Sequence, residues 1–221
     1  MRKKPIIFCD FDGTFTEKDI GHNFYRHFSN DKIGPIVHDW KKGLISSREC
    51  LRREAALVHA DESRVTAFLA RYDLRAGAVD FYRALKKNDL DFYIVSDGLN
   101  LYIEYFLARH KLEEIRFFSN IGTLRNGGLT IEFPHDNHGC RRCGCCKGAR
   151  IAEITEKNRS AVTVVFIGDG LSDLCALPHA DMIFARGDLL RYCREQNVMA
   201  IEYESFYDIL KKLNDAGLMT G

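Results

Sequence analysis

Two short acidic segments have residue types and spacing suited to chemistry. Asp10-Phe11-Asp12-Gly13-Thr14 follows the apolar run Pro5 to Cys9. Residues two apart on an extended chain point the same way, and a turn after the strand can aim both carboxylates at one ligand. Neighbouring carboxylates repel, so they need a cation or a shared proton. A hard dication such as Mg²⁺ suits them, because it prefers oxygen ligands. Gly13 allows close backbone approach, and the N–H groups of such a turn suit a phosphate. Taken alone, the segment is also compatible with a solvated acidic turn. Gly168-Asp169-Gly170-Leu171-Ser172-Asp173 follows another apolar run and offers two more carboxylates four residues apart. Asp173 or Ser172 could simply cap a helix starting near Leu171. Two acidic strand ends of one sheet, however, would converge and repel without a metal.

Two further elements are weaker signals. Ser96-Asp97-Gly98 follows Ile94-Val95, and its hydroxyl and loop N–H groups can hold phosphate oxygens; the same tripeptide is also an ordinary strand-to-helix connection. Lys147 precedes an amphipathic stretch, where a lone lysine is usually a solvated charge. Glu17, Asp19 and His22 follow the first acidic segment and could touch a substrate, or merely cap a helix and decorate the surface. Arg52 and Arg53 carry the same ambiguity.

The cysteines divide into two groups. Cys9, Cys50, Cys175 and Cys193 are scattered in apolar or helical patterns and read as ordinary buried or half-buried thiols. Cys140, Cys143, Cys145 and Cys146 fall within seven residues. In a cytosolic chain that density points to metal rather than disulfides. Cys140-x-x-Cys143 has the spacing of half a zinc knuckle; a second pair could come from Cys145, Cys146 or a histidine such as His138. Adjacent cysteines rarely ligate one ion with good geometry. The expectation is a structural Zn²⁺ that folds this loop and positions Lys147. Unligated thiols or a disulfide within the loop are the alternatives.

These groups need a scaffold. Apolar runs at 5–11, 91–96, 162–168 and 181–185 read as strands buried on both faces. Helical spacing lies between and after them, at about 76–88, 99–110, 147–157, 171–178, 188–196 and 205–215. Strands alternating with helices indicate an α/β domain with a mainly parallel sheet, whose ligands bind at the carboxyl ends of the strands. Residues 17–74 break the alternation. They lack a convincing buried strand and carry helical runs, Ser46 to His59 and Glu62 to Arg71, so they read as an inserted helical cap. Thr123 to Ile131 reads as a hairpin around Asn126-Gly127.

Composition narrows the function. The chain has 221 residues, enough for one large domain or a core with a small insert. Its 32 basic and 31 acidic side chains leave a formal charge of +1, which gives no support for nucleic-acid binding. No apolar run approaches the ~20 residues of a membrane span. The basic start, Met1 to Lys4, leads into too short an apolar segment for a signal peptide, so a cytoplasmic protein is expected.

In this order the segments resemble the haloacid-dehalogenase-like phosphatase superfamily. Its Asp-x-Asp-Gly-Thr motif is matched at Asp10 to Thr14 and its strand-ending Ser or Thr at Ser96. Its Lys or Arg is matched at Lys147, and its Gly-Asp-x-x-x-Asp at Gly168 to Asp173. The resemblance covers almost the whole chain and implies a Rossmann-like three-layer α/β core over 1–16 and 75–221. The cap, 17–74, would be of the early-insertion type found among phosphoserine phosphatase relatives. A narrower resemblance rests on Pro5 to Thr14, on Pro134-His135 leading to Cys143-Gly144-Cys145-Cys146-Lys147, and on Phe184-Ala185-Arg186 with Cys193 to Asn197. These stretches are similar to the 2-hydroxy-3-keto-5-methylthiopentenyl-1-phosphate phosphatase family of methionine salvage. The resemblance implies Asp10 as nucleophile through an aspartyl-phosphate and Asp12 as general acid and base. It implies Mg²⁺ on Asp10, the Asp12 carbonyl, Asp169 and Asp173. Gly13, Ser96, Gly98 and Lys147 would hold the phosphate of a small metabolite ester, with Lys147 keeping Asp10 ionised. The alternatives are phosphoserine phosphatase, another small-molecule phosphatase, or a non-catalytic metal-binding or redox module built on the cysteines. Oligomeric state is not legible.

Overall fold

The computed structural model describes residues 3–219. Met1, Arg2, Thr220 and Gly221, the ends assigned to the core, lie outside them. The strands are β1 (Lys4–Cys9), β2 (Asp91–Leu99), β3 (Arg116–Arg125), β4 (Gly128–Glu132), β5 (Val162–Gly168), β6 (Met182–Ala185) and β7 (Ile201–Glu202). They form one sheet in the order β4-β3-β2-β1-β5-β6-β7. All pairs are parallel except the β3–β4 hairpin. Asn126 (φ 51°) and Gly127 (φ 77°) make its two-residue turn, the left-handed pair that an Asn-Gly dipeptide favours.

Both sheet faces are covered. Along β1, Ile7 and Cys9 enter one apolar cluster, and Ile6 and Phe8 enter the other. Along β5, Val165 and Ile167 face one way and Val164 and Phe166 the other. That double burial explains why these strands read as continuous apolar runs without alternation. The covering helices are α5 (Ala78–Lys87), α6 (Asn100–Arg109), α7 (Lys147–Thr155), α8 (Gly187–Glu195) and α9 (Phe206–Asp215). The architecture is the expected α/β fold with a mostly parallel sheet.

Four short helices lie between β1 and α5: α1 (Ile20–Phe28), α2 (Gly34–Lys41), α3 (Ser47–Ala55) and α4 (Glu62–Leu69). An isolated bridge between Thr16 and Leu74 brings the two ends of this segment together. Phe24, Phe28 and Phe68 pack on one another, and Phe24 continues to Tyr102 of α6. One apolar cluster therefore runs from the helical segment into the sheet.

Three features depart from expectation. The 171–178 segment is a 3₁₀ helix, Leu171–His179, with Pro178 inside it. β3 begins at Arg116 and joins the sheet beside β2 before it turns into the hairpin. β7 is a two-residue edge strand. Among the described residues, no helix is long and apolar enough to cross a membrane.

Candidate active site

The chain leaves β1 for β2 on one side and reaches β5 on the other, so the carboxyl ends of these three strands flank the point where the strand order reverses. Ligands of open α/β sheets bind there. Asp10 follows β1, Ser96 to Gly98 lie at the end of β2, and Asp169 follows β5.

Asp10 is 4% exposed. Its backbone N–H donates to the Ile167 carbonyl at 2.9 Å, which locks it to β5. Its Oδ1 accepts from the Phe11 N–H at 2.7 Å and lies 2.8 Å from Lys147 Nζ. Lys147, though a lone lysine in the sequence, is 1% exposed. It also contacts Asp173 Oδ1 and donates to Ser172 Oγ at 3.2 Å. Burial works against its charge, but Asp10 and Asp173 more than offset this and hold the ammonium above its usual range. Burial and the Asp173 charge push the Asp10 carboxyl up, while Lys147 pulls it down.

The turn after β1 aims the two aspartates differently. Asp12 Oδ1 accepts from Gly21 N–H of α1 at 2.8 Å, and Oδ2 accepts from Tyr102 Oη at 3.2 Å and Ser96 Oγ at 3.4 Å. Burial, then the nearby charge of Asp19, raises its carboxyl to about 7. Gly13 has φ 74°, and a Cβ there would stand 2.6 Å from Asp169 Oδ2, so glycine is required on both counts. Gly98 is equally confined: a Cβ would stand 2.0 Å from Tyr102 Oη.

On the β5 side, Asp169 Oδ1 accepts from Thr14 Oγ1 at 3.0 Å. Burial and Asp173 raise the Asp169 carboxyl to about 7. Asp173 is fully buried, and its Oδ2 accepts from the N–H groups of Asp169 and Gly170, both at 2.9 Å. It thereby caps the 3₁₀ helix as well as facing Lys147. Asp10, Asp169 and Asp173 each bring a carboxylate oxygen within 4.8 Å of the others. Three carboxylates, two buried and the Asp169 one half-buried, against one ammonium is an excess of negative charge that a hard dication would balance, so the donor set fits Mg²⁺.

Several contributors were not legible as single residues. Arg75, 7% exposed, donates through Nη2 to the carbonyls of Gly13 (2.6 Å), Thr16 (3.2 Å) and Glu17 (3.0 Å), and through Nε to that of Thr14 (2.9 Å). It pins the acidic turn from below. Asp97 accepts from the Cys145 N–H at 2.7 Å and from Asn120 Nδ2, tying β2 to the cysteine loop. Of the ambiguous residues, Asp19 caps α1 by accepting from His22 N–H at 2.7 Å, and both line the pocket. Glu17 offers its carbonyl to Arg75 and its N–H to the Asp73 carbonyl, and does not line the pocket. Arg53 pairs with Glu49 at 2.7 Å, and Arg52 stacks over Phe133; neither lines the pocket.

The cysteine expectation needs correction in three places. Cys140, Cys143 and Cys146 converge, with sulfurs within 4.8 Å of one another. Cys145 does not join them: it packs into the apolar cluster with Val95 and Phe166, and its N–H donates to Asp97 Oδ1 at 2.7 Å. His138 is exposed and 4.0 Å from Asp136, outside the convergence. Cys175, read as an ordinary buried thiol, reaches instead to 4.0 Å from Cys143 Sγ.

A parallel sheet with an aspartate turn after its central strand, a buried lysine and a second acidic strand end defines a phosphatase of the haloacid-dehalogenase-like class. The Putative Phosphatase family model matches residues 5–204, and the chain belongs to that family. It is 32% identical to the 2-hydroxy-3-keto-5-methylthiopentenyl-1-phosphate phosphatase of Bacillus pumilus (strain SAFR-032), over 94% of this chain and 90% of that protein. It is 30% identical to the phosphatase of the same name from Geobacillus kaustophilus (strain HTA426), over 96% and 97%. A substrate-bound phosphoserine phosphatase shares the fold, with TM-score 0.73 at 20% identity over 96% of this chain and 99% of that one.

Proposed function

We propose that the chain hydrolyses a small phosphate monoester through an aspartyl-phosphate on Asp10, with residues 17–74 acting as a cap over a core formed by the rest. The observation that carries this reading is the Lys147 ammonium held 2.8 Å from Asp10 Oδ1 in a buried carboxylate site. Burial and Asp173 hold the Asp10 carboxyl above its usual range despite Lys147; with a dication also bound, it would be ionised and serve as the nucleophile at the carboxyl end of the sheet. Its oxygen forms a bond to phosphorus while the ester P–O bond breaks. Asp12, poised near neutrality, gives its proton to the departing alkoxide. It then takes a proton from water, which attacks the aspartyl-phosphate, releases inorganic phosphate and restores Asp10. Ser96 and Lys147 would hold the phosphate oxygens, whereas the N–H groups of Gly13 and Gly98, expected to help, are already donated to Thr16 Oγ1 at 3.2 Å and Ser96 Oγ at 2.9 Å. Asp10, Asp169 and the Asp12 carbonyl, with Asp173 beside them, would hold Mg²⁺. When bound, it offsets the charge of the nucleophile and the transferring phosphoryl group.

The leaving-group end of the pocket favours one substrate class. Val37, Trp40 and Leu51 supply an apolar wall. Tyr25 Oη is buried there without a partner among the described residues, and such a group calls for one. No Arg or Lys occurs among the described residues lining this pocket, so it offers no guanidinium or ammonium for the carboxylate of phosphoserine. A neutral keto or hydroxy ester with an apolar tail fits better, and 2-hydroxy-3-keto-5-methylthiopentenyl-1-phosphate is such a molecule. A phosphate-release screen over metabolite phosphates with Mg²⁺ tests this. The keto-enol ester should turn over well and phosphoserine poorly, and Asp10→Asn should abolish turnover with the fold intact. Wild-type-like activity of that variant would sink the mechanism; preference for phosphoserine would sink the substrate class.

A further inference from the structure

Cys140, Cys143, Cys146 and Cys175 lie apart from the residues that line the phosphate pocket. Three come from one loop; the fourth comes from the 3₁₀ helix that follows Asp169. We propose that these four sulfurs hold one tetrahedral zinc ion, with Cys175 as the fourth ligand, and that the ion clasps the Lys147 helix to the Asp173 helix.

Spacing argues for a single ion. A zinc–thiolate bond is about 2.3 Å, which places sulfurs of a tetrahedron about 3.8 Å apart. Cys143 and Cys175 are 4.0 Å apart, and the three loop sulfurs lie within 4.8 Å of one another; Cys175 is not that close to all three, so ligation would draw its side chain inward. The 140, 143, 146 spacing also suits a [4Fe–4S] cluster, but there each thiolate sits on its own iron and the sulfurs stand further apart. A disulfide between Cys143 and Cys175 would need about 2.05 Å and would leave Cys140 and Cys146 unused.

Backbone N–H groups face three of the four sulfurs. Cys140 Sγ accepts from the N–H groups of Arg142 and Cys143. Cys146 Sγ accepts from Ala149 N–H, and Cys175 Sγ from Gly148 N–H. The last two donors belong to the first turn of α7, where N–H groups have no helical partner and favour negative charge. Asn137, 5% exposed, shapes the loop: its Nδ2 donates to the Cys143 and Gly144 carbonyls at 2.9 and 3.0 Å, and its Oδ1 accepts from Cys146 N–H at 3.0 Å. On metal binding, the four S–H protons pass to solvent and four thiolates coordinate the ion.

The placement gives the clasp a purpose. Cys146 immediately precedes Lys147, and Cys175 lies two residues beyond Asp173. The two segments touch so closely that a Cβ on Gly148 would stand 2.1 Å from the Cys175 carbonyl. Fixing both ends would hold Lys147 between Asp10 and Asp173. This positioning role rests on the phosphatase reading; the metal content does not.

Protein purified from zinc-supplemented cells without chelator should carry one zinc per chain by elemental analysis, retained when Mg²⁺ is stripped. Cys175→Ser and Cys140→Ser should each lower zinc retention by roughly tenfold or more, whereas Cys145→Ser should keep it. Co²⁺ exchanged into the wild type should give the thiolate charge-transfer intensity of four sulfurs, which decides the matter even if a variant fails to fold. Wild type without zinc and with these thiols free or disulfide-linked overturns the proposal, as does iron with acid-labile sulfide, or full zinc retention in Cys175→Ser. Asp10→Asn should keep its zinc, so loss of the phosphatase reading and loss of the metal site remain separate results.

Discussion

Glu54 shows how one buried side chain links specificity to pH. It lies on α3, 5% exposed, and lines the pocket. Burial first, and the charge of Asp19 second, raise its carboxyl to about 8. At neutral pH it is therefore a hydrogen-bond donor, suited to a keto or hydroxyl oxygen and beside no cation that would ionise it. The sign for stability follows from linkage. Above about pH 4.5 the unfolded chain loses this proton while the folded chain keeps it until about pH 8, so this residue's contribution falls across that window. Glu54→Gln removes the dependence. Its stability relative to wild type should rise between pH 5 and pH 8, by up to roughly 4 kcal/mol, in denaturant unfolding at the two pH values. A gap that stays constant with pH would contradict the assignment. The strand-end aspartates were legible in sequence because their spacing is local. Glu54, Tyr25 and Tyr102 were not, since each is an isolated residue on a helix and only tertiary packing turns it toward the site.

At the scale of elements, the acidic turn is held in shape by a residue far from it in sequence. Phe15 N–H bonds to the Asp10 carbonyl and Thr16 N–H to that of Phe11, at 3.3 and 3.0 Å, closing a wide turn. Its outward carbonyls converge on Arg75, just past the helical segment. Arg75→Ala would leave these buried carbonyls without a donor, and a loss of roughly 2–4 kcal/mol is expected, read as a lower denaturation midpoint. Arg75→Lys should recover little, because an ammonium cannot fork across four carbonyls as guanidinium does. A lysine variant of wild-type stability would refute that geometry. The same scale explains what the sequence did and did not disclose. β1, β2, β5 and β6 are apolar on both faces, and five helices over the sheet have clear helical spacing, so all of these are readable. The start of β3, Arg116-Phe117-Phe118-Ser119-Asn120, mixes charge and amide among its apolar residues, because Asn120 faces Asp97 and the loop. β7 is too short to carry a pattern. Cys175 looks like any helical thiol until the 3₁₀ helix sets it beside Cys143.

For the molecule as a whole, net charge hides a strong local imbalance. The chain carries a formal +1, yet Asp10, Asp12, Asp19, Asp97 and Asp169 all line one pocket whose described wall has no Lys or Arg. Lys147 lies beneath it, already engaged with Asp10 and Asp173. A phosphate dianion approaching that mouth meets like charge in a partly desolvated site, where repulsion is weakly screened. On the proposed reading, the dication therefore binds ahead of the ester and creates its affinity. Mg²⁺ should then stabilise the protein on its own, by about 2.7 kcal/mol at a hundredfold excess over its dissociation constant. Inorganic phosphate should shift the melting temperature only when Mg²⁺ is present. Asp169→Asn should lose the Mg²⁺ shift and, with it, the phosphate shift. Thermal unfolding across a matrix of the two ligands checks this order: an equal phosphate shift with and without Mg²⁺ would show that the protein's own donors, Ser96 and Lys147, suffice to overcome the field of the pocket.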